Sequence, residues 1–414
     1  MVMILVACSS DENSSSGGGE VVDLTIGLPG SYEVTSKEIV DKFIEEHPNI
    51  NVTIQEAPWG DFASKIATQI AGNTMPDVWF QENATILGYG ERGVAEELTP
   101  YIERDLNAED YVDALYSAEN ADGQIWGVPH GVNPVALAYN KDLFEEAGLD
   151  YPADEWTYEE LIEAAKELTI TDGDRTEQYG FVGSYSITTG WFPWLKQAGG
   201  SALDESKTKS MFNSQQSIDG LTQLRQGIEE GYFTSSDFLT ANGGELEVFG
   251  MEKAAMLFIQ YSLQVTMNES FPDTNWDTVK MPLGMDGERY VPMVNNTWLI
   301  SSRAEEQTKE AAWEFLKFYL SEDVQNIVAE SGSTLPVHVS ALELVEESVT
   351  KPENKTAFTQ GIAEGGVTLD ENDTWSEWRL VAQEYVNEAI VNQNMSVEEA
   401  MEQTHKEVQA ILGD

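Results

Sequence analysis

The side chains that most often carry nucleophilic or metal chemistry are few and scattered in this sequence. Cys8 is the only cysteine, which excludes an intramolecular disulfide, a CxxC pair and a cysteine-based zinc cluster. No HxH, HExxH or Ser-His-Asp arrangement can be recognised, and the four histidines lie far apart: His47, His130, His338 and His405. We therefore expect no bound metal, no cofactor and no enzymatic activity.

Two short patterns could still carry chemistry, but each lacks part of the motif that it matches. Gly88 to Gly93 fits GxGxxG. A dinucleotide site needs that motif to join a strand directly to a helix, and here several residues separate it from the preceding predicted strand. Asp172 to Glu177 hints at a calcium loop but lacks the glycine at its sixth position and the glutamate at its twelfth. A plain turn is the better interpretation of that segment.

The 11 tryptophans are the more promising binding residues. Many follow predicted strand ends or lie in predicted loops, where a side chain can line a cleft. Indole offers a flat apolar surface and one N–H donor, which suits a ligand with both apolar and polar parts. Trp79 and Trp313 are expected in the core instead, because they lie in a predicted strand and on a predicted helix face.

The residues around Cys8 indicate a processing site. The chain is almost wholly apolar before this cysteine and rich in Ser and Gly directly after it, and Leu5-Val6-Ala7-Cys8 resembles the bacterial lipobox. The apolar stretch is too short to span a bilayer and lacks a basic n-region, so we expect the signal peptide to start further upstream. We predict that residues 1–8 are the residual signal peptide and lipobox, residues 9–20 a flexible tether, and Cys8 the lipidation site. A buried or incidental thiol is the alternative.

The charge balance excludes some partners. The chain has 73 Asp and Glu against 22 Lys and Arg, a formal charge of −51. Such a surface repels nucleic acid and anionic lipid, so we expect no nucleic-acid partner and membrane attachment only through the lipid on Cys8. Since 41% of the residues are apolar, the chain is globular. The even spread of acidic residues is typical of a halophilic surface, with an alkaline host or a host whose proteome is generally acidic as the alternative.

Alternating strands and helices must position these residues. Residues 21–28, 51–55 and 78–80 are predicted strands separated by predicted helices, and a similar stretch begins near residue 135. Capping boxes predict helix starts at Thr157-x-x-Glu160 and Ser396-x-x-Glu399. This alternation favours mostly parallel sheets covered by helices, arranged in two α/β units of similar size.

Several longer segments occur in a characteristic order across residues 20–414. They are Met75-Pro76-Asp77-Val78, residues 93–101 (GVAEELTPY), 127–129 (GVP), 137–144 (LAYNKDLF), 250–256 (GMEKAAM) and 311–318 (AAWEFLKF). In order and spacing they resemble the extracellular solute-binding proteins of ABC importers, in the carbohydrate-binding family that includes maltose-binding protein. The resemblance implies a two-lobed periplasmic-binding-protein-like α/β fold, each lobe a mostly parallel sheet flanked by helices.

The same resemblance implies lobe boundaries and a mechanism. One lobe would comprise residues 20–131 plus 292–336, and the other residues 132–291 plus 337–414. A hinge would cross near Gly131-Val132, Pro292 and Val337. Closure of the lobes would capture a sugar or oligosaccharide, which the protein would deliver to permease subunits at the outer face of the cytoplasmic membrane. We expect a monomer.

The chemistry of the expected ligand, a sugar, determines which residues are candidates for the binding site. A sugar presents hydroxyls at its edge and C–H patches on its faces, so it needs flat aromatics and in-plane hydrogen-bonding groups. Position 133, often acidic in the family, is asparagine here. Together with the resemblance, this predicts the ligand-binding residues Tyr32, Trp59, Gln81, Glu82, Asn83, Asn133, Trp191, Trp194, Tyr261, Asn296, Trp298, Trp375, Trp378 and Arg379.

Other functions stay open at this point. A different solute is the main alternative: a polyamine would favour several acids in the cleft, ferric ion would need a Tyr/His/carboxylate cluster, and a peptide is also conceivable. A secreted glycosidase is a further alternative, since it requires two carboxylates. With 73 acidic residues, however, a suitably spaced pair in the sequence carries no weight.

Overall fold

The computed structural model describes residues 21–30, 37–82, 85–112, 123–173, 175–348 and 350–413, without the side chains of residues 59, 60 and 82. The predictions for Cys8 and its tether, Tyr32 and Asn83 therefore lie outside the described residues. The same holds for the side chains of Trp59 and Glu82.

Strands and helices alternate along most of the described chain. The strands are β1 (Val22–Pro29), β2 (Ile50–Ala57), β3 (Val78–Glu82), β4 (Val128–Asn140), β5 (Ile170–Asp172), β6 (Arg175–Phe181), β7 (Ala254–Gln260), β8 (Trp276–Val279), β9 (Val291–Ile300) and β10 (Gly366–Val367). The helices are α1 (Lys37–Glu46), α2 (Trp59–Gly72), α3 (Ile86–Glu91), α4 (Thr99–Asp105), α5 (Lys141–Ala147), α6 (Tyr158–Glu167), α7 (Phe192–Gln197), α8 (Gln215–Glu229), α9 (Ser236–Ala241), α10 (Glu245–Gly250), α11 (Leu263–Ser270), α12 (Glu306–Tyr319), α13 (Glu322–Ser331), α14 (Val339–Glu347), α15 (Thr356–Gly365), α16 (Trp375–Val386) and α17 (Val397–Leu412). A π-helical turn, Ile187–Trp191, leads into α7.

The first lobe is built on the predicted β-α-β-α-β alternation. β1 pairs in parallel with β2 and with β3, with Val22 opposite Ile50 and Ile26 opposite Val78. Helix α1 buries Ile39, Val40 and Phe43, which lie on one face at helical spacing. The strands and helices predicted for this part of the chain are therefore confirmed.

Two long strands, β4 and β9, connect the two halves of the molecule. β9 runs antiparallel to β3 and to the first half of β4, while the second half of β4 pairs antiparallel with β7 and β8. The strand order is β2-β1-β3-β9-β4-β7-β6-β5. The predicted two-lobed α/β fold is confirmed, with one refinement. The pairing is mixed rather than mostly parallel, because β4 and β9 return antiparallel to their neighbours.

Three chain segments pass side by side at Val132. This residue pairs with Asn295 of β9 on one side and forms a bridge with Leu335 on the other. The two N–H···O distances of the bridge are 3.1 and 2.9 Å. Residues 132, 295 and 335 lie within three residues of the crossings that the sequence predicts.

Among the described residues, the hydrophobic core comprises two clusters of buried side chains. One contains Phe43, Trp79 and Trp313 and continues into the second lobe as far as Trp276. The other lies in the second lobe and contains Trp191, Trp194 and Trp378, among others. Trp79 and Trp313 are buried, as predicted.

The capping residues predicted at Thr157 and Ser396 both stand at the start of a helix. The capping box at Thr157 is complete, since Thr157 Oγ1 accepts from the Glu160 amide and Glu160 Oε2 accepts from the Thr157 amide. At Ser396, the side chain accepts from the Glu399 amide at 3.1 Å.

The first glycines of the GxGxxG pattern lie inside α3, so the pattern does not join a strand to a helix. Asp172 ends β5 at a turn into β6, as expected.

Candidate functional site

A cavity of about 440 Å³ opens where the two lobes meet. This volume falls within the range of about 300 to 1,000 Å³ that is typical of small-molecule sites. The first lobe contributes the ends of β1 and β3, β4 and β9 cross the middle, and the second lobe contributes the π-helical turn and the start of α16. The lining residues are Leu28, Pro29, Phe80, His130, Asn133, Ile187, Thr188, Gln260, Ser262, Val294, Asn296, Ser333, Thr334, Leu369, Glu371, Trp375 and Arg379.

Helix α16 presents an aromatic and a basic side chain to this cavity. Trp375 and Arg379 are one helical turn apart, so they share a face of the helix. The Trp375 side chain is 5% exposed, and its ring stands edge-on to Trp378 with 4.8 Å between ring centroids. Arg379 is exposed and offers guanidinium donors. This face combines a flat apolar surface with hydrogen-bond donors.

Asn133 lines the cavity but is already engaged with Ser262. Its Nδ2 donates to Ser262 Oγ at 2.9 Å, and its Oδ1 accepts from the Ser262 amide at 2.9 Å. These two bonds fix the corner after β7 against β4. A ligand can therefore reach only the remaining N–H and lone pair of the Asn133 amide.

Glu371 is the one carboxylate among the described lining residues. Its side chain is 7% exposed, and Oε2 has no hydrogen-bond partner among the described residues. Burial raises the pKa of this carboxyl above the ordinary glutamate value. A buried acceptor without a partner is costly, which makes this atom a candidate contact for a ligand.

His130 contributes a neutral imidazole. It stacks on Tyr319 with 5.2 Å between ring centroids and meets Phe80 edge-on at 5.2 Å. Burial lowers the pKa of His130 to about 4, so the ring is uncharged at neutral pH. Its Nδ1 has no hydrogen-bond partner among the described residues. The ring can thus add one hydrogen bond without adding charge.

The π-helical turn that carries Ile187 and Thr188 is held by buried polar contacts. Glu245 of α10 accepts from Ser184 Oγ at 2.6 Å and from Thr189 Oγ1 at 3.3 Å. Burial raises the pKa of Glu245, while these two hydroxyl bonds oppose that shift.

A second contact ties the same turn to α16. Gln383 accepts from Trp191 Nε1 at 3.1 Å and donates to the Tyr185 carbonyl at 3.0 Å. The turn and α16 therefore form one connected wall of the cavity.

Comparison with known proteins identifies the family. A family model described as bacterial extracellular solute-binding protein matches residues 30–326. The chain belongs to this family. The resemblance inferred from the sequence is thereby confirmed.

Individual relatives of this solute-binding protein are remote in sequence but similar in length. The maltodextrin-binding protein MdxE of Bacillus subtilis is 22% identical over 349 residues, which cover 83% of this chain and 79% of that protein. A maltooligosaccharide ABC transporter solute-binding lipoprotein of Streptococcus pneumoniae is 22% identical over 358 residues, with 83% and 79% covered. The ABC substrate-binding protein Lmo0181 of Listeria monocytogenes, solved in complex with cycloalternan, superposes with a TM-score of 0.84 at 24% identity, covering 94% of this chain and 99% of that one.

Among the predicted residues whose side chains the structure describes, four line the cavity of the solute-binding protein, namely Asn133, Asn296, Trp375 and Arg379. Gln81 is buried in β3, with Oε1 unpartnered among the described residues, and does not line the cavity. Five others lie in the core with at most 1% of their surface exposed: Trp191, Trp194, Tyr261, Trp298 and Trp378.

Helical structure explains two of these core positions. Residues 375–379 form the start of α16, and Trp378 lies on its core side, where Nε1 donates to Asn372 Oδ1 at 3.1 Å. Trp194 lies in α7 and packs edge-on to Tyr158 with 4.6 Å between centroids. Tryptophans at helical spacing form part of a buried stripe instead of lining a cleft together.

Some lining residues of the solute-binding protein were missed from the sequence, chiefly His130, Glu371 and Thr334. Glu371 lies four residues before Trp375, and this closeness in sequence could have suggested that both residues border the cavity. In a chain with 73 acidic residues no single glutamate is conspicuous. His130 and Thr334 become neighbours of the cleft only because β4 and the segment after α13 meet at Val132.

Proposed function

We propose that this solute-binding protein captures a sugar or oligosaccharide in the cleft and delivers it to the permease of an ABC importer. The observation that carries the proposal is the presence, in one cavity, of Trp375 beside hydrogen-bonding groups from several segments. Indole covers the C–H face of a sugar, while amide, hydroxyl and carboxylate groups bind its hydroxyls. The relatives named above for maltodextrin and maltooligosaccharide support the same ligand class.

The competing ligands fit the cavity less well. A polyamine would favour several carboxylates, whereas the described lining contains Glu371 as its one carboxylate together with the cationic Arg379. A ferric site would need a cluster of ligands, and within the described residues no three His, Cys, Asp or Glu side chains are grouped to hold a metal ion. No observation favours a peptide.

We also propose that the protein is not an enzyme. A glycosidase uses two carboxylates on opposite sides of the scissile bond. Glu371 is the one carboxylate among the described lining residues, and one carboxylate does not meet that requirement. Binding without turnover is also what membership of a binding-protein family favours.

Capture would proceed by closure of two lobes about the segments that meet at Val132. The lobes we propose are residues 20–131 plus 292–336 and residues 132–291 plus 337–414. Hydrogen bonds from Val132 to Leu335 and pairing with Asn295 would let three short crossings flex together. The closed form is then the form that the permease would recognise.

We further propose that the protein acts as a monomer at the outer face of the cytoplasmic membrane, anchored by lipid on Cys8. The streptococcal relative is named as a lipoprotein, which supports the anchor. No helix among the described residues combines the length and apolarity needed to cross a bilayer. Mass spectrometry of protein expressed with a complete leader should find Cys8 acylated at the new N-terminus, and an unmodified Cys8 would refute this part.

A thermal-shift screen tests the ligand class. The panel is maltose, maltotriose, cycloalternan, spermidine and a tripeptide, with chromatography of each sugar afterwards. We expect a saturable rise in melting temperature with at least one sugar. At a sugar concentration a hundredfold above Kd, binding should add about 2.7 kcal/mol to the free energy of unfolding. The sugar should be recovered intact. A shift with spermidine or the peptide alone would favour the alternative ligands, and hydrolysis of a sugar would refute the binding function.

A further inference from the structure

The loop before α16 is held rigidly on both sides of Glu371. Asp370 Oδ2 accepts from the amides of Ala202 and Leu203 at 2.8 and 3.2 Å. On the other side, Asn372 Oδ1 accepts from Trp378 Nε1 at 3.1 Å. Both neighbours of Glu371 are therefore anchored to the second lobe, and Glu371 cannot easily relocate.

Glu371 differs from these two neighbours in having a buried acceptor without a partner among the described residues. Its Oε2 is buried and unpartnered among the described residues, while the side chain lines the cavity. Desolvation without compensation destabilises the ligand-free protein. Such a cost is typical of a group whose partner arrives with the ligand.

We propose that Glu371 is the specificity-determining acceptor of the cleft, taking a hydrogen bond from one sugar hydroxyl while the neighbouring ring face lies on Trp375. This inference rests on the proposed sugar-binding function and adds to it. A carboxylate accepts but cannot donate when ionised, so it selects a hydroxyl donor at that position. It rejects a deoxy sugar, which leaves Oε2 unpaired, and a uronic acid, whose charge it repels.

Affinity measurements on variants test the role directly. The probes are maltose, maltotriose and cycloalternan, and the variants are Glu371→Ala and Glu371→Gln. The control is Glu377→Gln, which changes an exposed residue in the first turn of α16, the helix that follows the loop of Glu371. For each sugar that the wild-type protein binds, Glu371→Ala should weaken binding roughly 10- to 100-fold. Glu371→Gln should have a smaller effect and the control none.

A set of monodeoxy maltotrioses identifies the hydroxyl. One analogue should bind the wild-type protein about tenfold more weakly than maltotriose, yet bind Glu371→Ala no more weakly than maltotriose does. The inference is overturned, with the proposed function intact, if Glu371→Ala binds every sugar as tightly as the wild-type protein. If the wild-type protein binds none of the sugars, the proposed function fails and this inference with it.

Stability and pH separate a binding role from a merely structural one. Because the folded-state pKa of Glu371 is raised, its contribution to stability is present at low pH and is lost as pH rises through that value. Glu371→Gln should therefore melt at an equal or higher temperature than the ligand-free wild-type protein at neutral pH. A lowered melting temperature for Glu371→Gln would identify Glu371 as structural and overturn the inference.

The affinity for sugar should change with pH in the direction opposite to the contribution of Glu371 to stability. Sugar binding needs the ionised carboxylate, so wild-type affinity should fall as pH drops through the raised pKa, and Glu371→Gln should lose that dependence. The other charged groups near Glu371 are Lys207 and Asp370, and the same cavity also holds the charged Arg379 and the titratable His130. They remain in both proteins, so the difference between the two profiles reports Glu371. Identical profiles would overturn the inference.

Discussion

At the residue scale, Trp375 and Trp378 show how neighbouring side chains of one type take different roles. Both lie in α16 and touch edge-on with 4.8 Å between ring centroids. Trp378 turns into the core and satisfies its indole N–H with Asn372, while Trp375 borders the cavity. We propose that the sugar ring lies on Trp375 and that Trp378 supports this ring from the core side.

Replacing Trp375 by alanine should weaken sugar binding strongly. Loss of a central aromatic contact costs about 2 kcal/mol, which is roughly 30-fold in Kd. Calorimetric titration with maltotriose measures the change. Leu380→Ala is the control, because Leu380 is 59% exposed on the same helix and does not line the cavity. Equal affinities for Trp375→Ala and the wild-type protein would show that the sugar does not lie on this ring.

The sequence predicted the binding residues only in part, for a physical reason. Of the predicted residues, Asn133, Asn296, Trp375 and Arg379 line the cavity. Residue type alone could not separate Trp375 from Trp378, since both are apolar and only the rotation of α16 decides which one faces the cleft. Glu371 and His130 depend on burial and on long-range contacts, which no local pattern reveals.

At the element scale, the π-helical turn should depend on Glu245. Glu245→Ala removes the acceptor for Ser184 and Thr189 and should free the segment 184–191. Binding would then have to order this segment, at a cost of about 0.5 to 1.5 kcal/mol per side chain, or roughly 2- to 10-fold in affinity.

Hydrogen–deuterium exchange and calorimetry together measure this effect. Exchange should accelerate in residues 184–191 of Glu245→Ala while the far-UV spectrum stays unchanged. Glu247→Ala changes a residue of the same helix that does not bond to the turn, and it serves as the control. If exchange in residues 184–191 is unchanged in Glu245→Ala, Glu245 does not position the π-helical turn.

The close packing of the three crossings should not tolerate a methyl group at Gly131. A Cβ there would lie 2.3 Å from Thr334 Oγ1 and 2.9 Å from the Leu335 carbonyl oxygen. Gly131→Ala should therefore reduce the free energy of unfolding by about 1 to 3 kcal/mol, measured by denaturant titration. Gly72→Ala is the control, since its Cβ would meet Thr74 Oγ1 at an ordinary 3.6 Å. Equal losses for the two variants would contradict the described packing.

The elements themselves were more predictable than their pairing. Strands β1 to β3 and the helices between them follow from apolar periodicity, and Thr157 marks its helix through a local capping box. The direction of β4 and β9 was not predictable in this way. Their antiparallel pairing joins residues more than 150 positions apart, such as Val128 and Trp298, and local patterns do not encode such contacts.

At the scale of the whole molecule, the charge of −51 should make stability depend on salt. Pairing each of the 22 basic residues with one acid leaves 73 − 22 = 51 carboxylates unpaired. Their repulsion is screened as the Debye length falls from about 10 Å at 0.1 M salt to about 3 Å at 1 M. The melting temperature should therefore rise from low to molar NaCl.

A control at acidic pH separates charge screening from other effects of salt. Near the ordinary carboxylate pKa of about 4, many of these groups are neutral, so the response to NaCl should shrink. A melting temperature that is insensitive to NaCl at neutral pH would exclude a surface adapted to high salt.

The central claim is that sugar binds in the cleft between the lobes, and hydrogen–deuterium exchange of the wild-type protein with and without saturating maltotriose tests it most directly. We expect protection in residues 128–134 and 369–379 together, because the first segment belongs to β4, which crosses the middle of the cavity, and the second borders the cavity from the second lobe. Protection confined to another part of the surface, or no protection at a concentration that saturates the thermal shift, would contradict the account.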